Sequence, residues 1–304
     1  MSTSATPRSA RHTRYLALGA LVLMGVLWGS TFFSMKDLTS RIPVPDLLAV
    51  RFIIAAVVSG ALGWRHWRMN RRTLRHGTIL GLIYGTAQLV QTVGLAHTAA
   101  SVSGFVTGLY VVFTPFLAAW LLRERVPLLT WLSVLLAALG LGVLTLDLSA
   151  GVVIGVGELL TLGSAVIYAC HIVAVDRWSD GDNSLSLTLV TLTVVALECT
   201  VAALPGGIHL PSGGTDWAWM LYIAVIAGAI PIFLQVWAQA VVESTTAAVL
   251  MAGEPVWAAV FAVLLGGERF TWQMLAGGGS MFAAMILVTV LPKFRSRGRL
   301  LEVG

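Results

Sequence analysis

The stretch TAAVLMAGEPVWAAVFAVLL, from Thr246 to Leu265, is apolar except near its middle. About 20 apolar residues cross the hydrocarbon core of a bilayer, so this length is typical of a transmembrane helix. Glu254 and Pro255 interrupt the run. A carboxyl group is costly in lipid and a proline removes a helical hydrogen bond, so both residues call for an explanation.

The composition of the whole chain indicates a membrane protein. Of its 304 residues, 57% are hydrophobic and only 11% are charged, against roughly 25% charged residues in soluble domains. We therefore predict an all-α integral membrane protein with ten transmembrane helices. Breaks in the apolar pattern place these spans at 15–35, 46–64, 78–96, 101–122, 128–146, 155–175, 185–204, 217–238, 245–265 and 271–291.

The distribution of positive charge predicts the orientation of the spans. Cytoplasmic loops of membrane proteins carry an excess of lysine and arginine. With the N-terminus inside, fifteen of the nineteen basic residues fall on the cytoplasmic side, three (Lys36, Arg41 and Arg269) fall outside, and Arg51 lies within the second span. This pattern predicts a multi-pass protein of the inner (plasma) membrane with both termini in the cytoplasm.

The two halves of the chain resemble each other at an offset of 144 residues. LVQTVGLAHTAA (Leu89–Ala100) aligns with FLQVWAQAVVES (Phe233–Ser244), and AAWLLRERV (Ala118–Val126) aligns with AVLLGGERF (Ala262–Phe270). Five spans per repeat is an odd number, so the second copy enters the membrane from the opposite side. The predicted organisation is a cytoplasmic N-terminal tail, a five-helix repeat, an inverted five-helix repeat and a basic cytoplasmic tail, at 1–14, 15–146, 155–291 and 292–304.

Three motifs resemble the EamA-type branch of the drug/metabolite transporter superfamily. They are LWGSTF at Leu27–Phe32, SGFVTGLYVVFTPFLAAWLLRERV at Ser103–Val126 and AAVLMAGEPVWAAVFAVLLGGERF at Ala247–Phe270. The resemblance covers roughly residues 15–291. It implies ten helices in an inverted five-plus-five repeat, a central cavity and transport of small solutes without ATP, often as export. Tyr110 and Val111 replace the Glu-Pro pair in the first repeat, which makes the two halves chemically different.

Glu254 is the foremost candidate for contact with a solute or a coupling ion. It is predicted to lie near the bilayer midplane, where ionisable residues commonly serve function. The carboxyl group can exchange protons or pair with an amine. Pro255 removes the amide that would bond the carbonyl of Met251. The alternative is a structural glutamate, bonded to another helix to hold the kink.

Other polar and aromatic side chains in the spans are weaker candidates for the same cavity. Gln91 and Gln235 are repeat-related amides, and Tyr110 is the counterpart of Glu254. Aromatic rings with polar tips suit the wall of a mixed-polarity cavity, and a histidine can relay protons. For each of them helix packing is the alternative role. The predicted cavity residues are Trp28, Thr31, Gln91, Tyr110, Tyr168, His171, Gln235 and Glu254.

Further intramembrane features have structural interpretations. Gly77, Gly81 and Gly85 form a GxxxGxxxG pattern that predicts a close helix contact. Helix bends that a rocking motion can use are predicted at three prolines, Pro115, Pro231 and Pro255. Arg51 and Glu158 lie near predicted span ends and are expected to reach toward water. Glu198 lies deeper and is expected to pair with Arg51 or to face water.

No motif for ATP binding, metal binding or hydrolysis is present in the sequence, so we predict no cofactor, no metal site and no enzyme activity. The expected partners are a small organic solute and membrane lipids, with no nucleic acid, and transport is expected to be either antiport with protons as the coupling ion or facilitated exchange. These features favour a secondary transporter, an exporter of an amino acid, metabolite or drug-like compound that works by alternating access. The alternatives are a membrane-embedded enzyme acting on lipid-like substrates and a channel.

Overall fold

The computed structural model describes residues 7–64, 69–98, 100–123, 126–145, 155–180, 183–264 and 271–290. The predicted C-terminal tail at 292–304 and the repeat-related Glu-Arg pairs at 124–125 and 268–269 lie outside these residues. All secondary-structure elements in the described ranges are helices, and no strand occurs among them. The predicted all-α class is therefore confirmed.

The first half contains seven described helices, two of which form an interrupted pair around Leu109. They are α1 (Pro7–Gly29), α2 (Phe32–Leu38), α3 (Val44–Gly63), α4 (Arg71–Ala96), α5 (Ala100–Gly108), α6 (Tyr110–Leu121) and α7 (Leu128–Thr145).

The second half contains a further set of helices and one π-helical segment. They are α8 (Val156–Trp178), α9 (Ser184–Ala203), a 3-10 turn (Leu204–Gly206), α10 (Gly214–Leu221), the π-helical segment (Tyr222–Ala229), α11 (Ile230–Gln239), α12 (Ser244–Met251), α13 (Glu254–Leu264) and α14 (Trp272–Val290).

Long apolar helices recur along the whole chain, as in a multi-pass membrane protein. Large apolar side chains also lie on the outer surface, where Leu62 is 79% and Trp120 is 76% exposed. Such a surface is stable in lipid and costly in water. Six segments of the described chain are long and apolar enough to cross a membrane: His12–Leu38, Val44–Gly63, Arg71–Ala96, Val156–Trp178, Ser184–Gly206 and Gly214–Gln239.

The stretch around Glu254 is a break between two helices rather than a kink inside one. Helix α12 ends at Met251, residues 252–253 form a turn, and α13 begins at Glu254. Pro255 therefore occupies the first turn of α13, where a missing amide leaves no helical hydrogen bond unmade. The equivalent break in the first half lies at Leu109, between α5 and α6.

Helix α4 packs closely against α9 through its glycines, as the GxxxGxxxG pattern predicts. A Cβ atom on Gly77 would lie 2.6 Å from the Cβ of Val190, and one on Gly81 would lie 2.5 Å from the Cβ of Val194. A Cβ on Gly85 would clash with the carboxylate of Glu198. The three glycines have no side chains, and this permits the close approach of α4 and α9. Helix α4 also packs against α8.

We expect Gly81→Ala to destabilise the folded protein by about 1–3 kcal/mol, because the added methyl group overpacks a tight helix contact. The clash is with the Val194 side chain and with the Thr191 carbonyl oxygen, 2.9 Å away. The measurement is the midpoint of thermal unfolding in detergent. The matched control is Gly163→Ala in α8, where a Cβ has no neighbour within 4 Å. Equal losses of stability in the two variants would contradict a tight α4–α9 contact.

Helices from both halves surround a common interior. Helix α1 contacts α11, α12 and α13, while α8 contacts α4, α5 and α6. Helices α6 and α12 also meet, as do α5 and α13. The breaks at Leu109 and at 252–253 therefore lie in helices that face each other across the interior, next to α1 and α8.

Candidate substrate cavity

A cavity lies between the two halves, with about 620 Å³ of empty space that includes its opening to solvent. All eight predicted cavity residues line it, together with others that sequence analysis did not select. The lining residues are Trp28, Thr31, Phe32, Met35, Arg51, Tyr84, Gln88, Gln91, Leu95, Thr107, Tyr110, Tyr168, His171, Ile172, Gln235, Met251 and Glu254.

Glu254 lies at the start of α13 and reaches the cavity with 7% of its surface exposed. Its carboxyl group forms no hydrogen bond and no ion pair within the described part of the chain. Helix α1 approaches closely, because a Cβ on Gly25 would lie 3.5 Å from the amide nitrogen of Glu254. The backbone of the helix break therefore packs against α1, while the Glu254 side chain has no structural partner among the described residues.

Tyr110 occupies the corresponding position at the start of α6. It is 3% exposed, and its hydroxyl group has no hydrogen-bond partner among the described residues. The Nε2 atom of His171, which is 1% exposed, likewise has no partner there. Buried polar atoms are nearly always hydrogen-bonded in folded proteins, so these two groups are available to a ligand or to water.

The repeat-related glutamines have different surroundings. Gln91 accepts a hydrogen bond from the Tyr168 hydroxyl at 2.8 Å and donates one to Thr107 Oγ1 at 3.1 Å. Gln235 donates to Gln239 Oε1 at 3.0 Å, but its own Oε1 atom has no partner in the described chain. Gln91 is thus held between helices, whereas Gln235 keeps a free acceptor at the cavity.

Aromatic rings form one continuous wall of the cavity. The ring of Tyr84 lies 5.0 Å from that of His171 and 5.9 Å from that of Tyr168, measured between centroids. The hydroxyl of Tyr84 accepts a hydrogen bond from Gln88 Nε2 at 2.9 Å. Such rings supply large apolar contact area while their polar tips remain at the cavity. Tyr84 was not singled out in the sequence, where a lone tyrosine in an apolar run has no distinguishing signal.

Trp28 and Thr31 reach the cavity at the break between α1 and α2. Thr31 Oγ1 donates to the carbonyl of Trp28 at 2.8 Å, which satisfies a carbonyl near the end of α1. The Oγ atom of the neighbouring Ser30 lies 2.6 Å from the hydroxyl oxygen of Tyr222, which begins the π-helical segment. The hydroxyl of Thr31 therefore serves the backbone.

The three prolines lie in different settings. Pro255 follows the break at 252–253, and Pro231 lies in the first turn of α11, directly after the π-helical segment. Pro115 lies inside α6, six residues beyond the break at Leu109. The interruption of the first-half pair therefore precedes its proline and does not coincide with it.

Arg51 differs from its expected position. It does not reach toward water but is 2% exposed and lines the cavity. Its Nε atom donates to the carbonyl of Ile223 at 3.1 Å and its Nη2 atom donates to the carbonyl of Ala227 at 3.3 Å. The π-helical segment presents these carbonyls, and no local pattern in the sequence reveals that segment, so the role of Arg51 was missed.

Glu198 and Glu158 are partly exposed and form hydrogen bonds with nearby groups. Glu198 does not pair with Arg51; it accepts a hydrogen bond from Thr86 Oγ1 at 2.8 Å on the α4–α9 contact. Glu158 does not extend to solvent alone, because it accepts from the amide of Gly155 at 2.8 Å at the start of α8. A further hydrogen bond joins Thr98 to Glu158. Both carboxylates therefore serve local structure outside the cavity.

No group of three or more His, Cys, Asp or Glu side chains that could hold a metal ion occurs within the described ranges. Among its lining residues, the cavity presents one carboxyl group, one guanidinium group, several neutral polar groups and an aromatic wall. This set can bind a small amphipathic molecule through a few directed polar contacts.

The EamA-like transporter family matches residues 16–146 and 155–290, and the chain belongs to this family. A solved crystal structure with 18% identity matches it with a TM-score of 0.75, over 88% of this chain and 95% of that one, which shows the fold. Family membership confirms the resemblance of the motifs and shows that the chain is a multi-pass membrane transporter of small solutes rather than an enzyme.

Several curated proteins are similar over most or part of the chain. An uncharacterized transporter of Archaeoglobus fulgidus is 26% identical, over 91% of this chain and 86% of its own length. The threonine/homoserine exporter RhtA of Escherichia coli is 26% identical, over 93% and 94%. A probable terminal-alkyne amino-acid exporter of Streptantibioticus cattleyicolor is 28% identical over 42% of each chain.

Proposed function

We propose that this protein exports small amine-containing solutes, with amino acids as the first class to test, from the cytoplasm across the plasma membrane. The observation that carries the proposal is the buried Glu254 carboxyl group, which faces the cavity without a partner in the described chain. A buried carboxylate is stabilised by an opposite charge. A solute with an ammonium group supplies that charge, and a proton supplies it when the solute has left.

The similar proteins support the choice of solute. Two of them are named as exporters of amino acids, one for threonine and homoserine and one for a terminal-alkyne amino acid. The cavity offers free acceptors at Glu254 and Gln235 beside an aromatic wall. We propose these residues, with Tyr110, His171, Trp28 and the Gln91–Tyr168 pair, as the solute-binding surface.

The proposed architecture is ten spans in two inverted five-helix repeats, at 15–146 and 155–291, with both termini in the cytoplasm. In this arrangement α1–α2, α5–α6 and α12–α13 each form one interrupted span, and α10, the π-helical segment and α11 form another. The contacts support a two-fold relation. The α4–α8 contact is matched by α11–α1, the α4–α9 contact by the π-helical segment with α3, and α7 packs against its counterpart α14.

The proposed transport cycle is alternating access, in which the first repeat rocks against the second about the cavity. The interrupted pairs α5–α6 and α12–α13 meet each other across the interior. Their breaks, Leu109 and residues 252–253, are equivalent at the offset of 144. Short unwound segments of this kind can absorb the backbone rotation that opening and closing require. Proton antiport and facilitated exchange are both compatible with a single cavity carboxyl group.

The decisive experiment is counterflow in proteoliposomes that contain the purified full-length protein. Vesicles are loaded with one of the common L-amino acids and diluted into a trace of the same radiolabelled compound. We expect transient accumulation of label above equilibrium for at least one amino acid, because an alternating-access carrier exchanges solute across the membrane. Desamino carboxylic acids of matched size are expected to give no accumulation, since they lack the group that pairs with Glu254.

Two outcomes would contradict the proposal. Equilibration of label without accumulation would indicate a channel, because an open path does not couple the two fluxes. Accumulation of the desamino acids to the same level as the amino acids would exclude an amine-dependent solute.

A further inference from the structure

We propose that Arg51 is a second charged subsite of the cavity and binds the carboxylate of a zwitterionic solute, whose ammonium group pairs with Glu254. This inference rests on the proposed function and specifies the solute further, as one that carries both charges.

Among the described residues, the guanidinium group of Arg51 has neutral groups as its partners. Besides the carbonyls of Ile223 and Ala227, its Nη1 atom donates to Gln88 Oε1 at 3.3 Å and to Met35 Sδ at 3.4 Å. The ring of Phe52 lies 5.1 Å from its Cζ atom. No described carboxylate forms an ion pair with it. A cation that is 2% exposed and has only dipoles as partners is incompletely compensated, and an anion in the cavity would complete its surroundings.

The backbone geometry holds Arg51 at the cavity wall. Arg51 Nη2 donates to the carbonyl of Ala227, which lies in the π-helical segment four residues before Pro231. The π-helical turn also presents the carbonyl of Ile223, and a Cβ on Gly228 would lie 2.8 Å from that oxygen. Two main-chain carbonyls therefore orient the guanidinium group without neutralising it, and one Nη2 hydrogen stays without a partner among the described residues.

Arg51 and Glu254 both line the same cavity, from α3 and α13, and they form no ion pair with each other. Two opposite charges that face a common space without pairing with each other can both pair with a molecule that carries both charges. Guanidinium groups bind carboxylates through two parallel hydrogen bonds. The arrangement therefore selects a zwitterion over a simple amine or a simple acid.

The test compares each amino acid with its carboxamide, which keeps the amine and loses the negative charge. The affinity of each compound is measured by its inhibition of the counterflow of a radiolabelled amino acid. The proteoliposomes contain the wild-type protein or one of the variants Arg51→Gln, Arg51→Lys and Glu254→Gln. In the wild type we expect the acid to bind about 10- to 100-fold more tightly than the amide, as for a hydrogen bond to a charged group. In Arg51→Gln the acid and the amide are expected to bind alike, while Arg51→Lys keeps part of the preference.

Glu254→Gln is the matched control, because it removes the other charge of the cavity. It is expected to weaken the acid and the amide equally and to leave their ratio unchanged. Gly228→Ala tests the positioning of Arg51 from outside the cavity. It is expected to lower the ratio with little effect on the affinity for the amide, whereas a purely structural loss would weaken both compounds equally.

Each outcome has a definite meaning. If no amino acid competes, the proposed function fails and this inference fails with it. If amino acids compete but the wild type binds acid and amide equally, or the preference persists in Arg51→Gln, only the role of Arg51 is overturned. The wild-type ratio provides the test even where a variant at Arg51 does not fold.

Discussion

Replacing Glu254 with glutamine is expected to lower the affinity for the transported solute, and with it the rate at low solute concentration, by about 10- to 100-fold. The charge-assisted hydrogen bond that would be lost contributes roughly 1.5–3 kcal/mol. Glutamine keeps the shape of the side chain and removes its charge, so the helix break and Pro255 stay intact. The measurement is initial-rate counterflow of the best amino acid at several pH values, with the amount of folded protein determined by size-exclusion chromatography.

Tyr110→Phe is the comparison variant, because Tyr110 is the counterpart of Glu254 in the first repeat and begins the equivalent half-helix. The loss of a neutral hydroxyl group is expected to cost only about 0.5–1.5 kcal/mol, or a few-fold in affinity. Unchanged transport and an unchanged pH profile in Glu254→Gln would exclude both solute binding and proton binding at this residue. Loss of folded protein with normal transport by the remaining fraction would instead assign Glu254 to structure.

We expect Lys36→Met and Asp176→Leu each to lower the stability of the protein by about 1–3 kcal/mol, as for buried polar groups left without partners. Lys36 Nζ donates to the carbonyls of Leu95 at 2.7 Å, of Ala96 at 3.2 Å and of Thr98 at 2.8 Å, at the end of α4. Asp176 Oδ2 accepts from the amide of Ser244 at 3.0 Å, at the start of α12. A cation at a helix C-terminus and an anion at a helix N-terminus are both favourable.

The two residues carry opposite charges because Lys36 meets the C-terminal end of α4 and Asp176 meets the N-terminal end of α12. The double variant Lys36→Asp with Asp176→Lys exchanges the two charges. It is therefore expected to remain less stable than the wild type. The control is Asp37→Asn, which breaks an exposed ion pair with Arg41 and is expected to cost no more than about 1 kcal/mol. Thermal unfolding in detergent measures all of these variants. Wild-type midpoints for Lys36→Met and Asp176→Leu would show that these contacts contribute little.

The broad features of the molecule were predictable because they depend on local sequence. Runs of about 20 apolar residues indicate transmembrane helices wherever they occur. A carboxyl group such as that of Glu254 stands out within such a run without knowledge of its neighbours. The glycine spacing on α4 predicted a close contact for the same reason, because Gly77, Gly81 and Gly85 must share one helix face.

The partners of each polar group were not predictable, because they come from distant parts of the chain. Arg51 lies 172 residues before Ile223, whose carbonyl it binds, and that carbonyl is presented by a π-helical turn. Gln91 and Gln235 are indistinguishable as repeat-related amides, yet only Gln235 has a free acceptor because Gln91 bonds to Tyr168 and Thr107. Local patterns carry no information on which helix faces which.

The sequence by itself determined that the chain crosses a membrane through apolar helices, that it has an EamA-like pattern, and that Glu254 lies in an apolar segment. Hydrophobic length and charge are properties of each segment, and they act before any helix meets another. Only the tertiary structure decided that Glu254 has no partner in the described chain while Arg51 faces the same cavity from another helix. Hydrogen bonds act over about 3 Å, so the packing of helices determines which polar groups are paired and which remain available for a solute.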